Sequence, residues 1–196
     1  MKTKALLAFV VAGALTFTAC NKKVDEKTMA EVNQFGTDWS AMGEKVTQMG
    51  TSMTETCQHA KDVAMKQTEM MNNMMNTKDE GMKTKMQEMT KMSNDNVTGC
   101  DGMMTEYNTF KTSWDENTQA FTTWQGKVKN GEVTPDDVTK GMTDWHTKMT
   151  EAQGKMDTWN TAFNTMKEST DKNMAMMDEM SKNMTSTETT KGKMKK

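Results

Sequence analysis

Three long stretches of this chain carry apolar residues at alternating steps of three and four, and no other fold class accommodates that repeat so readily. The first stretch runs Val32, Phe35, Trp39, Met42, Val46, Met49, Met53, Ala60, Val63, Met70 and Met74. The second runs Met82, Met86, Met89, Cys100, Met103, Tyr107, Phe110, Trp114, Phe121, Trp124 and Val128. The third runs Val138, Met142, Trp145, Met149, Ala152, Met156, Trp159, Phe163 and Met166, resuming at Met177, Met180 and Met184. Such spacing places every named side chain on one helical face and forms a coiled-coil-like seam. Period-two alternation is nowhere sustained, and a single proline in 196 residues leaves the helices uninterrupted.

The breaks between the seams carry turn and capping chemistry. Thr77-Lys78-Asp79-Glu80 fits a capping box with Thr77 as N-cap. Thr134-Pro135-Asp136-Asp137 supplies a cap residue, a proline at the first helical position and acids in the first turn. Gly126 to Gly131 has loop composition. Helices are therefore expected over about 25–75, 78–125 and 135–185, each on the order of 70 Å long at ~1.5 Å per residue. A polar, Lys-rich tail follows over 186–196. Short connections make the helices antiparallel neighbours, so the expected fold is all-α: an elongated up-down-up bundle of three long helices. The weakest helical stretch is Asn94 to Gly102, where a kink or break is expected.

The apolar vocabulary is narrow. Isoleucine is absent, the only leucines are Leu6, Leu7 and Leu15, and methionine occurs 26 times. Methionine favours helix and fills irregular gaps, but its flexible side chain specifies a unique packing poorly. A first turn near residues 78 and 79 brings Trp39 opposite position 118, between Trp114 and Phe121. A second turn near 131 and 132 brings Trp145 to the same layer. The methionines gather at the opposite end of the bundle. Between them, Ser93 and Asn96 occupy seam positions and are expected to face Thr170 and Lys167, with Asn173 and Gln67 at similar height. Polar seam residues of this kind cost stability but fix register. The methionine-rich tip beyond them is expected to be the more mobile half.

The first twenty residues have a different design. Two lysines lie within Met1 to Lys4, Ala5 to Phe17 is apolar, and Thr18-Ala19-Cys20 closes with small residues. That is the three-part layout of a secretory signal peptide, and about 13 apolar residues are too few to span a membrane. Phe17-Thr18-Ala19-Cys20 resembles the lipobox of bacterial lipoproteins, with Phe17 where that family usually carries leucine. The resemblance covers residues 1–20 and implies removal of 1–19, lipidation of Cys20 and a short tether over 20–24. It further implies an exported, membrane-anchored protein. Asn21, in place of the aspartate that retains such proteins at the inner membrane, implies outer-membrane sorting in a Gram-negative host, facing the periplasm or the cell surface. In that oxidising compartment cysteines usually pair. The first-turn register sets Cys57 opposite Cys100, so a disulfide between helices one and two is expected.

Little chemistry is visible. Lys+Arg is 25 against Asp+Glu 27, and every basic residue is lysine. Near-balanced charge without arginine argues against nucleic acid. The two histidines, His59 and His146, fall on different helices, roughly 50 Å apart by helical rise. There is no Gly-rich phosphate loop, nucleophile elbow or His-x-x-x-His pair, and no Glu-x-x-His of the kind that holds metal in helical bundles. No catalytic residue and no required cofactor is expected. Gly36, Gly43 and Gly50 recur every seven residues beside the first seam, reading either as a close-approach surface or as drift in a simple sequence. The expected function is that of a lipid-anchored, non-enzymatic interaction or structural protein with a protein partner. The alternative is Cu(I) or Ag(I) binding, or oxidant scavenging, by Met70, Met71, Met74, Met75, Met174, Met176, Met177 and Met180. Thioether sulfur suits such soft ions.

Overall fold

The computed structural model describes the backbone over 24–74 and 79–193 and the side chains over 24–72 and 79–183. Residues 1–23 with Cys20, the Thr77 cap position, and the side chains of Met74, Met75 and Met184 lie outside the described residues. Among the described residues there are three helices: α1 Glu26–Met74, α2 Glu80–Lys129 and α3 Pro135–Lys193. All three pack on one another, and among the described residues there is no strand. No described helix is long and apolar enough to cross a membrane.

Each helix start is explained by its cap. Asp25 Oδ1 accepts from the Thr28 amide at 2.8 Å, and those bonds hold the Asp25 carboxyl below its ordinary range. At α2 the N-cap is Asp79, whose Oδ1 accepts from the Met82 amide at 3.1 Å. That places the helix start two residues beyond the Thr77 box expected from sequence. At α3 Thr134 behaves as expected: its Oγ1 accepts from the Asp137 amide at 3.2 Å and donates to the Asp137 carboxylate at 2.7 Å.

The second turn corrects the expected boundaries. α2 does not stop at Gln125 but runs through Gly126 to Lys129. A helical glycine costs ~1 kcal/mol, but Val128 beyond it is buried with Val32 and Val138, which favours continuing the helix. The end is a Schellman motif: Glu132 N donates to Lys127 O at 2.9 Å, Gly131 N to Val128 O at 3.0 Å, and Gly131 has φ 71°. Shifting the turn shifts the register. Asn96 Nδ2 donates to Thr170 Oγ1 at 3.1 Å and Asn173 Nδ2 to Ser93 Oγ at 2.5 Å. The α2–α3 pairing is thus about one helical turn from that expected. Lys167 does not face Asn96; it is exposed and pairs with Asp171 at 2.8 Å. α3 also continues past 185 to Lys193. Asn94 to Gly102 is continuous helix rather than a break.

The first-turn register holds as expected. Trp39 Nε1 donates to Thr118 Oγ1 at 3.0 Å, and the Tyr107 hydroxyl donates to Val46 O at 3.0 Å. Threonine is tolerated on the outer faces because its hydroxyl folds back on the helix, as Thr47 does on Gly43 O at 3.0 Å. The seam then divides into layers. Val32, Val128 and Val138 close one end. An aromatic core follows, then a sulfur layer of Cys57, Ala60, Cys100 and Met166, then Val63 with the polar residues, then the methionine core around Met89 and Met180.

Candidate functional sites along the rod

The aromatic layer forms as the sequence predicts. Trp39 stacks on Trp114 at 4.4 Å and on Phe121 at 5.1 Å, and meets Trp145 edge-on at 5.5 Å. Rings this large pack against neighbouring helices only where something small lies opposite. Gly50 is buried beneath Tyr107, whose Cε1 would lie 2.7 Å from an added Cβ. A Cβ added at Gly36 would lie 2.5 Å from Gln125 Nε2, and one at Gly43 would lie 3.5 Å from Trp114 Nε1. The glycine stripe is therefore a close-approach surface for α2 of the same chain. Gly141 does the same for α3, with Trp124 Nε1 at 2.6 Å from a built Cβ.

Beside these rings lies a groove between α2 and α3, about 560 Å³ in volume. Phe110, Trp114 and Ala152 form its apolar floor, and Thr105, Thr109, Ser113 and Asn117 one wall. Glu106, Lys148, Glu151 and Lys155 surround it. Two of these charged side chains are already oriented. Lys148 Nζ donates to Asn117 Oδ1 at 2.9 Å and lies 5.8 Å from the Trp145 ring centre. Glu106 Oε2 accepts from Trp159 Nε1 at 3.3 Å. The groove was not anticipated from the seams, because its wall is off-seam. The available signal is three small polar residues at steps of four, Thr105, Thr109 and Ser113, flanking Phe110 and Trp114.

Cys57 and Cys100 come together as the register implies, with Cα atoms 5.4 Å apart, within the range a disulfide spans. Met166 of α3 places its Sδ 3.0 Å from Cys100 Sγ. Both cysteines are buried.

The polar layer pairs Asn96 with Thr170 and joins Gln67, Ser93 and Asn173 in a network. Asn173, fully buried, donates to Gln67 Oε1 at 3.1 Å, to Met89 O at 3.3 Å and to Ser93 Oγ. Ser93 Oγ in turn donates to Gln67 Oε1. Gln67 Nε2 donates to Thr90 Oγ1 at 3.0 Å. Among described buried side-chain atoms, only Asn173 Oδ1 lacks a partner.

At the methionine end, Met177 and Met180 are core residues, while Met70, Met71, Met174 and Met176 are partly buried around them. Packing thus explains most of this cluster. Met71 is half-buried, and its sulfur accepts from Thr90 Oγ1 at 3.1 Å. Among the described residues the exposed thioether is Met65, 58 % accessible. His59 lies 3.7 Å from Asp171, and His146 packs on Phe35. These positions are some 24 residues apart in α1 register, or about 36 Å at ~1.5 Å per residue, closer than the spacing expected from sequence. Among the described residues no three His, Cys, Asp or Glu side chains converge as metal ligands. No protein-family model, curated protein or solved structure matches the chain.

Proposed function

We propose that this chain is a lipid-tethered helical module of the cell envelope, without a reaction of its own, that binds a protein partner through the α2–α3 face. The observation that carries this reading is the groove floored by Phe110 and Trp114. Aromatic floor, small polar wall and charged rim are the composition of a protein-recognition surface, in which buried rings supply energy and rim charges supply orientation and on-rate. The tether rests on the lipobox resemblance at Cys20, and it would hold the aromatic half nearer the membrane than the methionine half.

Two measurements test the reading. A photo-cross-linking side chain introduced at Ser113 should give a discrete adduct in intact cells, while one at Thr51, on the exposed face of α1, should not. Thr109→Arg, which fills the groove from an exposed position, should abolish the Ser113 adduct. Adducts indifferent to position and to Thr109→Arg would refute a partner at this face. Separately, Cys20→Ser should eliminate incorporation of labelled fatty acid; unchanged labelling would refute the tether.

A further inference from the structure

The layer between the aromatic and methionine cores brings together one sulfur from each helix. Cys57 comes from α1, Cys100 from α2 and Met166 from α3. Met166 is one of many methionines in the core, but its placement here has a specific cause. Its methyl lies 3.1 Å from where a Cβ at position 99 would stand, so the absence of a side chain at Gly99 creates the notch that seats it. From that notch its sulfur reaches to 3.0 Å from Cys100 Sγ. Met103 and Met104 pack on the same cluster. Of the charged groups beside the layer, Lys61 engages Asp101 at 3.0 Å and Lys167 engages Asp171 at 2.8 Å. One turn further on, the buried Asn96 and Thr170 side chains bond to each other at 3.1 Å.

We propose that reduction of the Cys57–Cys100 pair converts this layer into a three-sulfur site for one soft monovalent ion, Cu(I) or its redox-inert analogue Ag(I). Two thiolates and a thioether, shielded from water, form a donor set suited to such ions and poorly suited to hard ones. The two cysteine Cα atoms are already 5.4 Å apart. Two sulfurs at about 2.3 Å from one ion, a typical metal–thiolate distance, lie roughly 4 Å from each other in a trigonal arrangement. Side-chain rotation supplies that opening without moving the helices.

The chemistry balances in two steps. A dithiol gives two electrons and two protons to the disulfide, leaving Cys57 and Cys100 as thiols and itself as a disulfide. The ion then displaces both thiol protons and binds the two thiolates and the neutral Met166 sulfur, leaving the occupied site with one net negative charge. Oxidised, the layer is a staple; reduced, it is a binding site. This differs from ion binding at the methionine end, and it does not depend on the groove.

The test uses the full-length protein in detergent, reduced anaerobically with dithiothreitol, freed of it, and titrated with Ag(I). Thiolate-to-metal absorption in the ultraviolet should saturate at one equivalent, and the Met166 methyl resonance should shift in step. The oxidised protein should show no such absorption. Cys57→Ser with Cys100→Ser, which keeps every methionine, should lose the one-equivalent site. Met166→Leu should weaken Ag(I) by at least about ten-fold in competition, the scale on which even outer-shell partners act. Reduced protein that binds no better than the double serine variant would overturn the site. So would thiolate absorption with an unmoved Met166 methyl in the unsubstituted protein, because the ion would then rest on the cysteines alone.

Discussion

From Phe35 to Trp159 the seam is built on rings with methionines packed among them; from Val63 to Met180 it holds thioethers and, among the described residues, no ring. Both halves use the same three helices and the same spacing, but they hold the helices differently. An aromatic ring has two torsions and a fixed outline, so Trp39 against Trp114, Phe121 and Trp145 admits few alternative packings. Methionine has three rotatable bonds and tolerates many. The polar network of Gln67, Ser93 and Asn173 and the Cys57–Cys100 pair stand between the halves. The rod is thus a specified half joined to an adaptable half, with registry devices at the junction.

The most severe way to probe that difference is to delete one side chain from each core. Trp39→Ala removes four ring contacts and a hydrogen bond to Thr118, and should cost about 3–5 kcal/mol. Met89→Ala, though Met89 is fully buried, should fall at the lower end of the ~2–5 kcal/mol range, because flexible neighbours refill the space. Urea unfolding of both variants compares them directly. Equal losses would mean the methionine half is as rigidly packed as the aromatic half. Hydrogen exchange on the unsubstituted protein should agree, with α2 amides from Met82 to Met92 opening before those from Phe110 to Phe121.

Severing the junction should come next in size. A disulfide closing a loop of 43 residues stabilises by roughly 4 kcal/mol in the chain-entropy picture, often less in practice. Cys57→Ser with Cys100→Ser should therefore lower the unfolding midpoint substantially. It should also separate the two halves, with the methionine end melting first by exchange while near-ultraviolet tryptophan signals persist. A single coincident transition would show that the staple adds stability but is not what couples the two halves.

Much of this arrangement is legible in the sequence. The three-four spacing gives the helices, Thr134-Pro135 gives the start of α3, and a common register places Cys57 by Cys100 and Trp39 by Trp114. Local chemistry misleads where burial outweighs it. Gly126 reads as loop, but buried Val128 favours continuing α2 beyond it, and the α2–α3 register moves one turn as a result. That shift replaces Lys167 with Thr170 opposite Asn96. The groove and the Met166 contact escape a seam-based reading because both depend on off-seam small residues, Thr109 and Gly99. The sequence places no such residue in three dimensions until the register is known.

The polar layer offers a finer test of how the halves are kept apart. Asn173→Leu removes a buried amide that has three partners and one unsatisfied oxygen. Gln67 and Ser93 retain each other, so the loss should be about 1–3 kcal/mol. The more informative readout is register. Interhelical cross-linking between engineered cysteines at Lys85 and Glu179, which pair at 3.2 Å, should broaden to neighbouring positions. Unchanged cross-linking would show that the methionine core fixes its own register.

The smallest effects separate glycines that look alike in sequence. Gly50→Ala drives a Cβ into the buried Tyr107 ring and displaces its hydroxyl from Val46 O, and overpacking of this kind costs ~1–3 kcal/mol. Gly36→Ala meets only the tip of Gln125, which can swing away, so the helix-propensity gain of up to ~1 kcal/mol should dominate.

The same tyrosine gives the aromatic half a weakness the methionine half lacks. Burial raises the Tyr107 phenol above its ordinary value of 10.0, with Asp115 adding to the rise and Lys111 opposing it. A raised acid is bound to its proton more tightly in the folded state than in the unfolded one. Its contribution is therefore complete below about pH 10 and is lost as pH rises through the folded value. Alkaline titration should loosen the ring layer before the thioether layer, reversing the order expected at neutral pH. Lysines titrate in the same range, so the control is Tyr107→Phe, which removes the ionisation and should flatten the alkaline fall in stability relative to the unsubstituted protein. Parallel falls in the two proteins would assign the alkaline loss to the lysines and leave the aromatic half the more robust at every pH.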